Sequence, residues 1–368
     1  YLVLNPEDIP RTIAEAFHLV RTGRPGPVVI DLPKDVQQKK CTPEFRTQVH
    51  MRSYDVCTEA SEADVQRVKE AVEQSERPCL YVGGGVITSG AHEPLRKFAE
   101  DNRIPVVTTV MALGAFPEDH ELSMKWLGMH GTYYANYAAN ECDLLIGIGA
   151  RFDDRVTGKV ETFASKAKII HVDIDRSEIN KNKRADIGIH CDARDLLEKL
   201  GRYEIQQDVS PWVEELIRCK EKYPFTYNPR EEIQPQQVIE KLYELTNGEA
   251  IVVPGVGQHQ MWAGQFYHYR HPRQFLTSGG LGAMGFGFPA AIGAKIARPE
   301  ATVINIDGDG SFQMNIQELA TAHCEGVAVK SVILNNQHLG MVAQWEDRFY
   351  GSRRGNTLIH SKHVDRPF

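Results

Sequence analysis

Paired cysteines, zinc-binding spacings and long apolar runs are all lacking in this sequence of 368 residues. Its seven cysteines are scattered and form no CxxC motif, which argues against a disulfide framework and favours a reducing compartment. No HExxH motif occurs, and the HxxH of His360 and His363 lies in a polar stretch that we interpret as solvated. No apolar stretch approaches the ~20 residues that span a bilayer, so no membrane-spanning helix is predicted.

An excess of positive charge is also lacking. The sequence has 42 Lys and Arg against 49 Asp and Glu, a net charge of −7 and a pI of about 6.1. This balance argues against nucleic acid or a membrane surface as a general partner. A hydrophobic content of 42% is normal for a soluble protein, and the length allows two or three domains with sizeable cores.

Apolar runs alternate with amphipathic patterns, which predicts an α/β fold with parallel sheets flanked by helices. We divide the sequence into the end of a first domain, a linker, a second domain, a second linker and a third domain, at residues 1–35, 36–58, 59–204, 205–234 and 235–368. The chain starts at Tyr1, almost directly before a helical pattern, and stops in a polar stretch. We therefore expect it to be a piece of a longer protein.

Nearly every predicted strand coincides with a short apolar run. In the first part, Pro6–Val20 is predicted as a helix and Pro27–Leu32 as a buried strand. Predicted strands of the second and third domains are Cys79–Val82, Val106–Val110, Leu144–Ile148, Ile169–Ile174, Ile187–His190, Ala250–Val253, Thr302–Ile306 and Lys330–Leu334.

Two polar motifs follow neighbouring strands of the third domain. Gly308-Asp309-Gly310-Ser311 comes after one strand, and Asn335-Asn336 comes after the next, with Asp309 and Asn336 27 positions apart. This is about one strand–helix–strand unit, so both side chains are expected at one sheet edge, where they would hold Mg²⁺ and a diphosphate. We expect Ser311 to cap a helix that begins near Phe312. Each motif alone is more simply interpreted as a turn.

The spacing of these motifs resembles the signature of thiamin diphosphate (ThDP) enzymes. The chain as a whole resembles the catalytic subunits of the acetohydroxyacid synthase (acetolactate synthase) family. The resemblance rests on RPGPVVIDLPKDVQ from Arg24, RFDDRVTG from Arg151, GVGQHQMW from Gly255, GGLGAMGFGFPAA from Gly279 and NNQHLGMVAQWEDRFY from Asn335. It implies the end of a pyrimidine-binding domain at 1–35, a Rossmann-like FAD-binding domain at 59–204 and a truncated diphosphate-binding domain at 235–368.

The resemblance also implies the residues of the ThDP site. Asp309, Asn336 and the main-chain carbonyl of His338 match the Mg²⁺ ligands. The remaining residues that would contact ThDP are Val256, Gly257, Gln258, His259, Gly282, Met284, Gly310, Ser311, Leu339, Gly340 and Met341.

For the second domain, the residues alone do not decide whether it binds a dinucleotide. Gly83-Gly84-Gly85 and Gly147-x-Gly149 each follow a strand, but neither fits GxGxxG, and tight turns are the simpler interpretation. Asp173 ends a strand where an acidic residue meets ribose or ribityl hydroxyls. The resemblance implies FAD bound by Arg24, Gly84, Thr109, His130, Gly131, Arg151, Asp153, Asp173 and Asp192.

Four residues are predicted to act on the substrate, namely Arg155, Trp345, Lys34 and Met341. A guanidinium pairs bidentately with a carboxylate, so Arg155 is the candidate for holding a 2-ketoacid. Trp345 would supply an apolar wall. Without the resemblance, Arg155 is better interpreted as a solvated residue and Trp345 as a core or interface aromatic.

The implied reaction is decarboxylation of pyruvate and transfer of the two-carbon unit to pyruvate or 2-ketobutyrate. The family also implies a homodimer or higher homo-oligomer with shared active sites, often a regulatory subunit, and a catalytic Glu that no residue here matches. We expect that Glu upstream, so the fragment alone would be inactive. The expected compartment is the bacterial cytoplasm or the plastid stroma. Alternatives are a pyruvate oxidase, a 2-ketoacid decarboxylase, a plain flavin oxidoreductase or a non-enzymatic remnant.

Overall fold

The computed structural model describes residues 1–45 and 48–359. The end of the predicted third domain, with the HxxH of His360 and His363, lies outside the described residues. Within the described ranges, none of the helices combines the length and the apolar character needed to cross a membrane.

The helices and strands alternate along most of the chain. The strands of the described residues are β1 (Pro78–Val82), β2 (Val106–Thr108), β3 (Ser123–Trp126), β4 (Leu144–Ile148), β5 (Lys168–Asp173), β6 (Ile187–His190), β7 (Ile251–Pro254), β8 (Val303–Gly308) and β9 (Lys330–Leu334). The α-helices are α1 (Ile9–Leu19), α2 (Lys34–Gln38), α3 (Glu62–Glu73), α4 (Gly84–Thr88), α5 (His92–Asp101), α6 (Tyr133–Glu141), α7 (Asp154–Thr157), α8 (Ala193–Leu200), α9 (Ser210–Lys222), α10 (Pro235–Thr246), α11 (Gln258–Phe266), α12 (Gly287–Ala297), α13 (Asp309–Gln313), α14 (Glu318–Cys324) and α15 (Gly340–Phe349). Short 3₁₀ helices occur at Pro6–Asp8 and Val110–Ala112.

Six parallel strands form the sheet of the central domain, in the order β3-β2-β1-β4-β5-β6. The chain moves outward from β1 in one direction and then returns to continue from β4 in the other. This is the doubly wound arrangement, in which ligands bind outside the carboxyl ends of the strands where the order reverses. The reversal here lies between β1 and β4.

Both faces of this sheet are buried, and the alternation along β1 shows how. Leu80 and Val82 face a core formed with α3, α5 and α8, whereas Cys79 and Tyr81 face a second core formed with α6 and α9. Since successive side chains of a strand point to opposite faces, a strand covered on both sides must be apolar throughout. All five residues of β1 are buried.

The third domain has a smaller parallel sheet with the order β7-β8-β9. Its core includes Ile239 of α10, Ala263 of α11 and Ile304 of β8. Leu113 and Trp126 of the central domain belong to the same core. The two sheets are therefore joined by shared apolar packing, and this fixes their carboxyl ends beside one another.

Two predicted features of the N-terminal half differ from the structure. Pro27–Leu32 is not a strand, because its main chain has only the isolated bridge between Leu2 and Asp31 among the described residues. Val29 is 77% exposed, and the main chain of the segment bonds to Tyr1 and Val3 rather than to a strand of either sheet. The 36–58 linker also begins inside α2, a short helix.

Two other features were not predicted. β3 lacks an apolar run, since it contains Ser123 and Lys125, and Lys125 has a φ of 60°. The segment 205–234, predicted as a linker, contains α9, whose Trp212 and Leu216 are buried against the central sheet. The indole Nε1 of Trp212 donates to the carbonyl of Pro78 at 3.1 Å.

A buried carboxylate joins the central and third domains. Glu118 is 5% exposed; its Oε2 accepts from the amide of Tyr269 at 2.8 Å, and its own amide donates to the carbonyl of Tyr269 at 3.0 Å. Burial raises the pKa of Glu118 to about 7, although the nearby Lys125 acts in the opposite direction. The carboxyl group of an unfolded chain has its pKa near 4.5.

The Glu118→Gln variant is expected to flatten the pH dependence of stability. Because the folded pKa is raised, the contribution of Glu118 is fully present below about pH 4.5 and is lost as the pH rises through about 7. We expect the variant to be more stable than the wild type by about 1–3 kcal/mol near pH 8 and similar near pH 5. Thermal unfolding at both pH values measures this. Glu121→Gln, an exposed neighbour, is the control, and parallel profiles for wild type and Glu118→Gln would contradict the expectation.

Candidate active-site groove

One continuous groove of about 1310 Å³ runs along the carboxyl ends of both sheets. Loops that follow all nine strands line it, together with residues 21–25 of the N-terminal segment. A pocket for one small molecule usually has about 300–1,000 Å³. The groove is therefore large enough for two extended ligands, one beside each sheet.

Beside the central sheet, the loops after β1 and β4 cross at the point where the strand order reverses. A Cβ atom on Gly85 would lie 2.7 Å from the Cα of Gly149, and one on Gly83 would collide with the carbonyl of Gly149. The amide of Gly83 donates to the carbonyl of Ile148 at 2.9 Å. The glycines are required because the two main chains touch, and they leave the end of this sheet open to a ligand.

Nearly all the residues predicted to bind FAD line this half of the groove. They are Arg24, Gly84, Thr109, His130, Arg151, Asp153, Asp173 and Asp192. Gly131 does not line it. A Cβ atom there would collide with the carbonyl of Trp126, so this glycine permits the turn after β3.

Several buried polar atoms in this half have no partner among the described residues. They are the hydroxyls of Tyr81 and Thr109 and the indole Nε1 of Trp126, all from residues that line the groove. Buried polar groups are nearly always hydrogen-bonded in native proteins. Unpaired donors and acceptors along an apolar groove therefore fit a large ligand with polar substituents, such as a flavin nucleotide.

Asp173 ends β5 and is the acidic residue expected to meet a ligand's hydroxyls. It is 7% exposed, and burial raises its pKa to about 6, while the amide of Asp175 donates to its Oδ1 at 2.8 Å. Burial removes hydrogen bonds that water would make to this carboxylate, and hydroxyl groups of a ligand would replace them. Asp173 therefore suits the hydroxyl-bearing part of a nucleotide, and we call this part of the groove its nucleotide end.

Beside the sheet of the third domain, Asp309 and Asn336 lie just beyond the ends of two neighbouring strands. Gly308 of β8 is paired with Leu334 of β9, which places the next residues of both chains at one edge. Asp309 is 8% exposed, and no hydrogen bond or ion pair between described side chains involves its carboxylate. Because a buried charge is costly without a partner, this site fits a cation.

The predicted helix cap at Ser311 is wrong. Helix α13 starts at Asp309, with Gly308 as its N-cap, and Ser311 lies inside it. The Ser311 hydroxyl instead accepts from the amide of Gly285 at 3.1 Å. This contact ties the loop before α12 to the strand end that carries Asp309.

The ligands available for a metal here are oxygens rather than imidazoles or thiolates. Among the described residues, no group of three or more His, Cys, Asp or Glu side chains could hold a metal ion. The Oδ1 of Asn336 accepts from the amide of His338 at 3.1 Å and keeps a second lone pair. One carboxylate, one amide oxygen and a main-chain carbonyl form a hard donor set that suits Mg²⁺ completed by phosphate and water.

Two helices begin at this half of the groove. α11 starts after Gly257, whose φ of 153° favours glycine, and α15 starts at Gly340. A Cβ atom on Gly340 would lie 2.6 Å from the Nδ2 of Asn336 and would also collide with Gln258. Free amides at two helix N-termini and space kept open by glycine suit a diphosphate.

The other predicted ThDP residues line the same groove, namely Val256, Gln258, His259, Gly282, Met284, Gly310, Ser311, His338, Leu339 and Met341. Gly282 has a φ of 69°. Met284 comes within 3.8 Å of a Cβ atom placed on Gly310, so its side chain lies beside the motif that carries Asp309.

Sequence reasoning missed a buried polar group under this half. Asp307 is fully buried; its Oδ1 lies 3.4 Å from the Nε2 of His259, and its Oδ2 accepts from Asn305 at 3.2 Å. His259 is itself 6% exposed. The available signal was a second acidic residue two positions before Asp309 at the end of an apolar strand.

The predicted substrate residues divide into two groups. Arg155, Met341 and Trp345 line the groove, whereas Lys34, the exposed first residue of α2, does not. Asp153 pairs with Arg151 at 2.9 Å, and no ion pair between described residues uses the guanidinium of Arg155. Met341 and Trp345 are one turn apart on α15, and the Trp345 ring lies 4.9 Å from that of Phe349.

His130 connects the two sides of this region. Burial lowers its pKa, and the positive charges of Arg348 and Arg155 lower it further, so its imidazole is neutral near pH 7. Arg155 belongs to α7 of the central domain and Arg348 to α15 of the third. The two domains therefore bring basic side chains towards one imidazole.

Two family models match the chain. Thiamine pyrophosphate enzyme, central domain, matches residues 65–200, and thiamine pyrophosphate enzyme, C-terminal TPP binding domain, matches residues 255–365. Together they cover more than half of the sequence. The chain belongs to the thiamine pyrophosphate enzymes, which confirms the predicted α/β architecture of flanked parallel sheets.

Within this family, the chain is similar to acetolactate synthases, as predicted from its motifs. It is 52% identical to acetolactate synthase 2, chloroplastic, of Nicotiana tabacum, over 98% of this chain and 55% of that protein. It is 53% identical to acetolactate synthase 1, chloroplastic, of Oryza sativa subsp. japonica, over 98% of this chain and 57% of that protein. It is 50% identical to acetolactate synthase, chloroplastic, of Arabidopsis thaliana, over 98% of this chain and 55% of that protein. The chain spans little more than half the length of these relatives.

Proposed function

We propose that the protein containing this chain is an acetolactate synthase. It decarboxylates pyruvate and joins the two-carbon unit to a second pyruvate, giving 2-acetolactate, or to 2-ketobutyrate, giving 2-aceto-2-hydroxybutyrate. This is the first common step in making valine, leucine and isoleucine. The observation that carries the proposal is that Arg155 and Trp345, from different domains, line the groove that also contains Asp309 and Asn336.

The third domain would hold ThDP and Mg²⁺. Asp309, Asn336 and the carbonyl of His338 would bind the metal, and amides at the starts of α11 and α15 would bind the diphosphate. ThDP, when bound, supplies the electron sink for decarboxylating a 2-ketoacid. Met284, beside Gly310, would support the ring end of the cofactor, and the central domain would hold FAD as a structural cofactor.

Arg155 would hold the carboxylate of the second ketoacid, because its guanidinium lines the groove and is not committed to an ion pair among the described residues. Trp345 and Met341 would form the apolar wall that contacts the substrate's alkyl group. Such a wall discriminates by about 1–3 kcal/mol per methylene, which is enough to distinguish pyruvate from 2-ketobutyrate. Lys34, outside the groove lining, would act at its entrance.

We further propose a homodimer or higher homo-oligomer with shared active sites, and a regulatory subunit as a further partner. Leu281 is 99% exposed and is adjacent to Gly282 of the proposed ring site, which suits an interface completed by another chain. The proposed compartment is the plastid stroma for a plant or algal source and the cytoplasm for a bacterial one.

The full-length protein, supplied with pyruvate, ThDP, Mg²⁺ and FAD, is expected to form acetolactate. Acid converts this product to acetoin, which is measured by its colour, and omission of ThDP is the control. The rival functions give other products from the same mixture. Acetaldehyde without acetolactate would establish a decarboxylase, and oxygen uptake without acetolactate would establish a pyruvate oxidase; either result overturns the proposal.

A further inference from the structure

Residues 21–25 of the N-terminal segment reach the nucleotide end of the groove, and an ion pair anchors them there. The Nη1 of Arg24 donates to Glu178 Oε1 at 2.7 Å and lies 3.5 Å from Asp175 Oδ2. Glu178 also pairs with Lys181 at 3.0 Å. Sequence reasoning did not single out Glu178, which is 154 residues away from Arg24 in the chain.

The two partners of this ion pair are buried to different degrees. The side chain of Glu178 is 4% exposed and that of Arg24 is 44% exposed. The second carboxylate oxygen of Glu178 is buried and has no partner among the described residues. Because desolvation of a carboxylate is costly, a buried Glu needs charged partners, and Glu178 has Arg24 and Lys181.

Glu178 fixes more than one nitrogen of Arg24. The guanidinium is planar, so an ion pair at Nη1 also sets the directions of Nη2 and Nε. The hydrogen bonds among the described residues use Nη1 alone. Arg24 lines the groove, as do Thr58, Asp173 and Asp192, so Nη2 and Nε remain as donors for an oxygen-bearing ligand there.

We propose that Glu178 is a positioning residue for the flavin nucleotide: it holds the Arg24 guanidinium so that Nη2 and Nε reach phosphate or ribose oxygens of the ligand. Binding of the flavin nucleotide and docking of residues 21–25 on the central domain then stabilise each other. This inference rests on the FAD site of the proposed function.

The test measures FAD affinity of the full-length protein by flavin fluorescence. Glu178→Gln is expected to weaken FAD binding about tenfold, which is about 1.4 kcal/mol. Arg24→Lys keeps a cation beside Glu178 but removes the planar fork, and we expect a loss of similar size. Glu198→Gln, which removes the exposed pair with Arg194, is the matched control and should bind FAD as the wild type does.

A double-mutant cycle separates positioning from mere structural support. If Glu178 acts through Arg24, the Glu178→Gln/Arg24→Ala protein binds FAD no more weakly than Arg24→Ala alone. Fully additive losses would overturn the inference, and so would wild-type affinity in both Glu178→Gln and Arg24→Lys. If Glu178→Gln does not fold, Arg24→Lys and Glu178→Asp decide the question. A wild-type protein that forms acetolactate but binds no FAD would instead overturn the flavin site itself.

Discussion

Replacement of Asp309 by alanine is expected to abolish measurable binding of Mg²⁺ and ThDP. The side chain is 8% exposed at the end of β8, and its carboxylate is the one full negative charge in the proposed ligand set. Residues that only support a metal ligand contribute about 10–100-fold to metal affinity, so removal of a direct ligand should cost at least about 100-fold. Isothermal titration with ThDP at fixed Mg²⁺ measures the loss.

The same variant should fold normally, since it removes an unpaired buried charge. We expect its melting temperature without cofactor to equal or exceed that of the wild type. Cofactor at about 100 times its Kd stabilises a protein by about 2.7 kcal/mol, and this increment should be missing. Asp101→Ala, an exposed residue of α5 paired with Lys97, is the control. Undiminished ThDP affinity in Asp309→Ala would rule out the metal site proposed here.

Replacement of Arg155 by glutamine is expected to lower kcat/KM for pyruvate by about 100-fold. A hydrogen bond to a charged group contributes about 1.5–3 kcal/mol, and a guanidinium can make two with one carboxylate. The main chain at Arg155 is already fixed, because its carbonyl accepts from the amide of Met129 at 3.0 Å. The substitution should therefore change the charge in the groove and leave the loop in place.

The matched control for Arg155 is Lys159→Gln, which removes another positive charge four residues further along the chain, just after α7. Lys159 is exposed and does not line the groove, so this variant should keep its activity. ThDP affinity should be unchanged in both variants. If Arg155→Gln kept its KM for pyruvate and its kcat, the carboxylate would have to be held by another residue.

The placement of Asp309 and Asn336 at one sheet edge was predictable, because an apolar strand precedes each of them in the sequence. Each of the runs before Asp309 and Asn336 is apolar, and each ends in residues that continue no strand. The burial of Asp307 could not be seen in the same way. Its partner Asn305 lies on the same strand, but His259 belongs to α11 and reaches Asp307 only when that helix packs against β8.

The errors of sequence reasoning follow from neighbours that a sequence does not show. β3 contains Lys125 with a φ of 60° and becomes a strand because it completes the sheet beside β2. Pro27–Leu32 looks like a strand but has no partner beyond one bridge. In α9, one proline and several charged residues obscured a buried stripe that includes Trp212 and Leu216.

The crossing of the loops at Gly83, Gly85 and Gly149 limits which substitutions this protein can accept. One wall of the groove is main chain, and a new side chain at these glycines meets atoms that cannot rotate away. Arg155 and Trp345 line the same groove with side chains. Under the proposed function, substitutions among these side chains would change which substrate is preferred, whereas substitutions at the three glycines would disrupt the proposed nucleotide site.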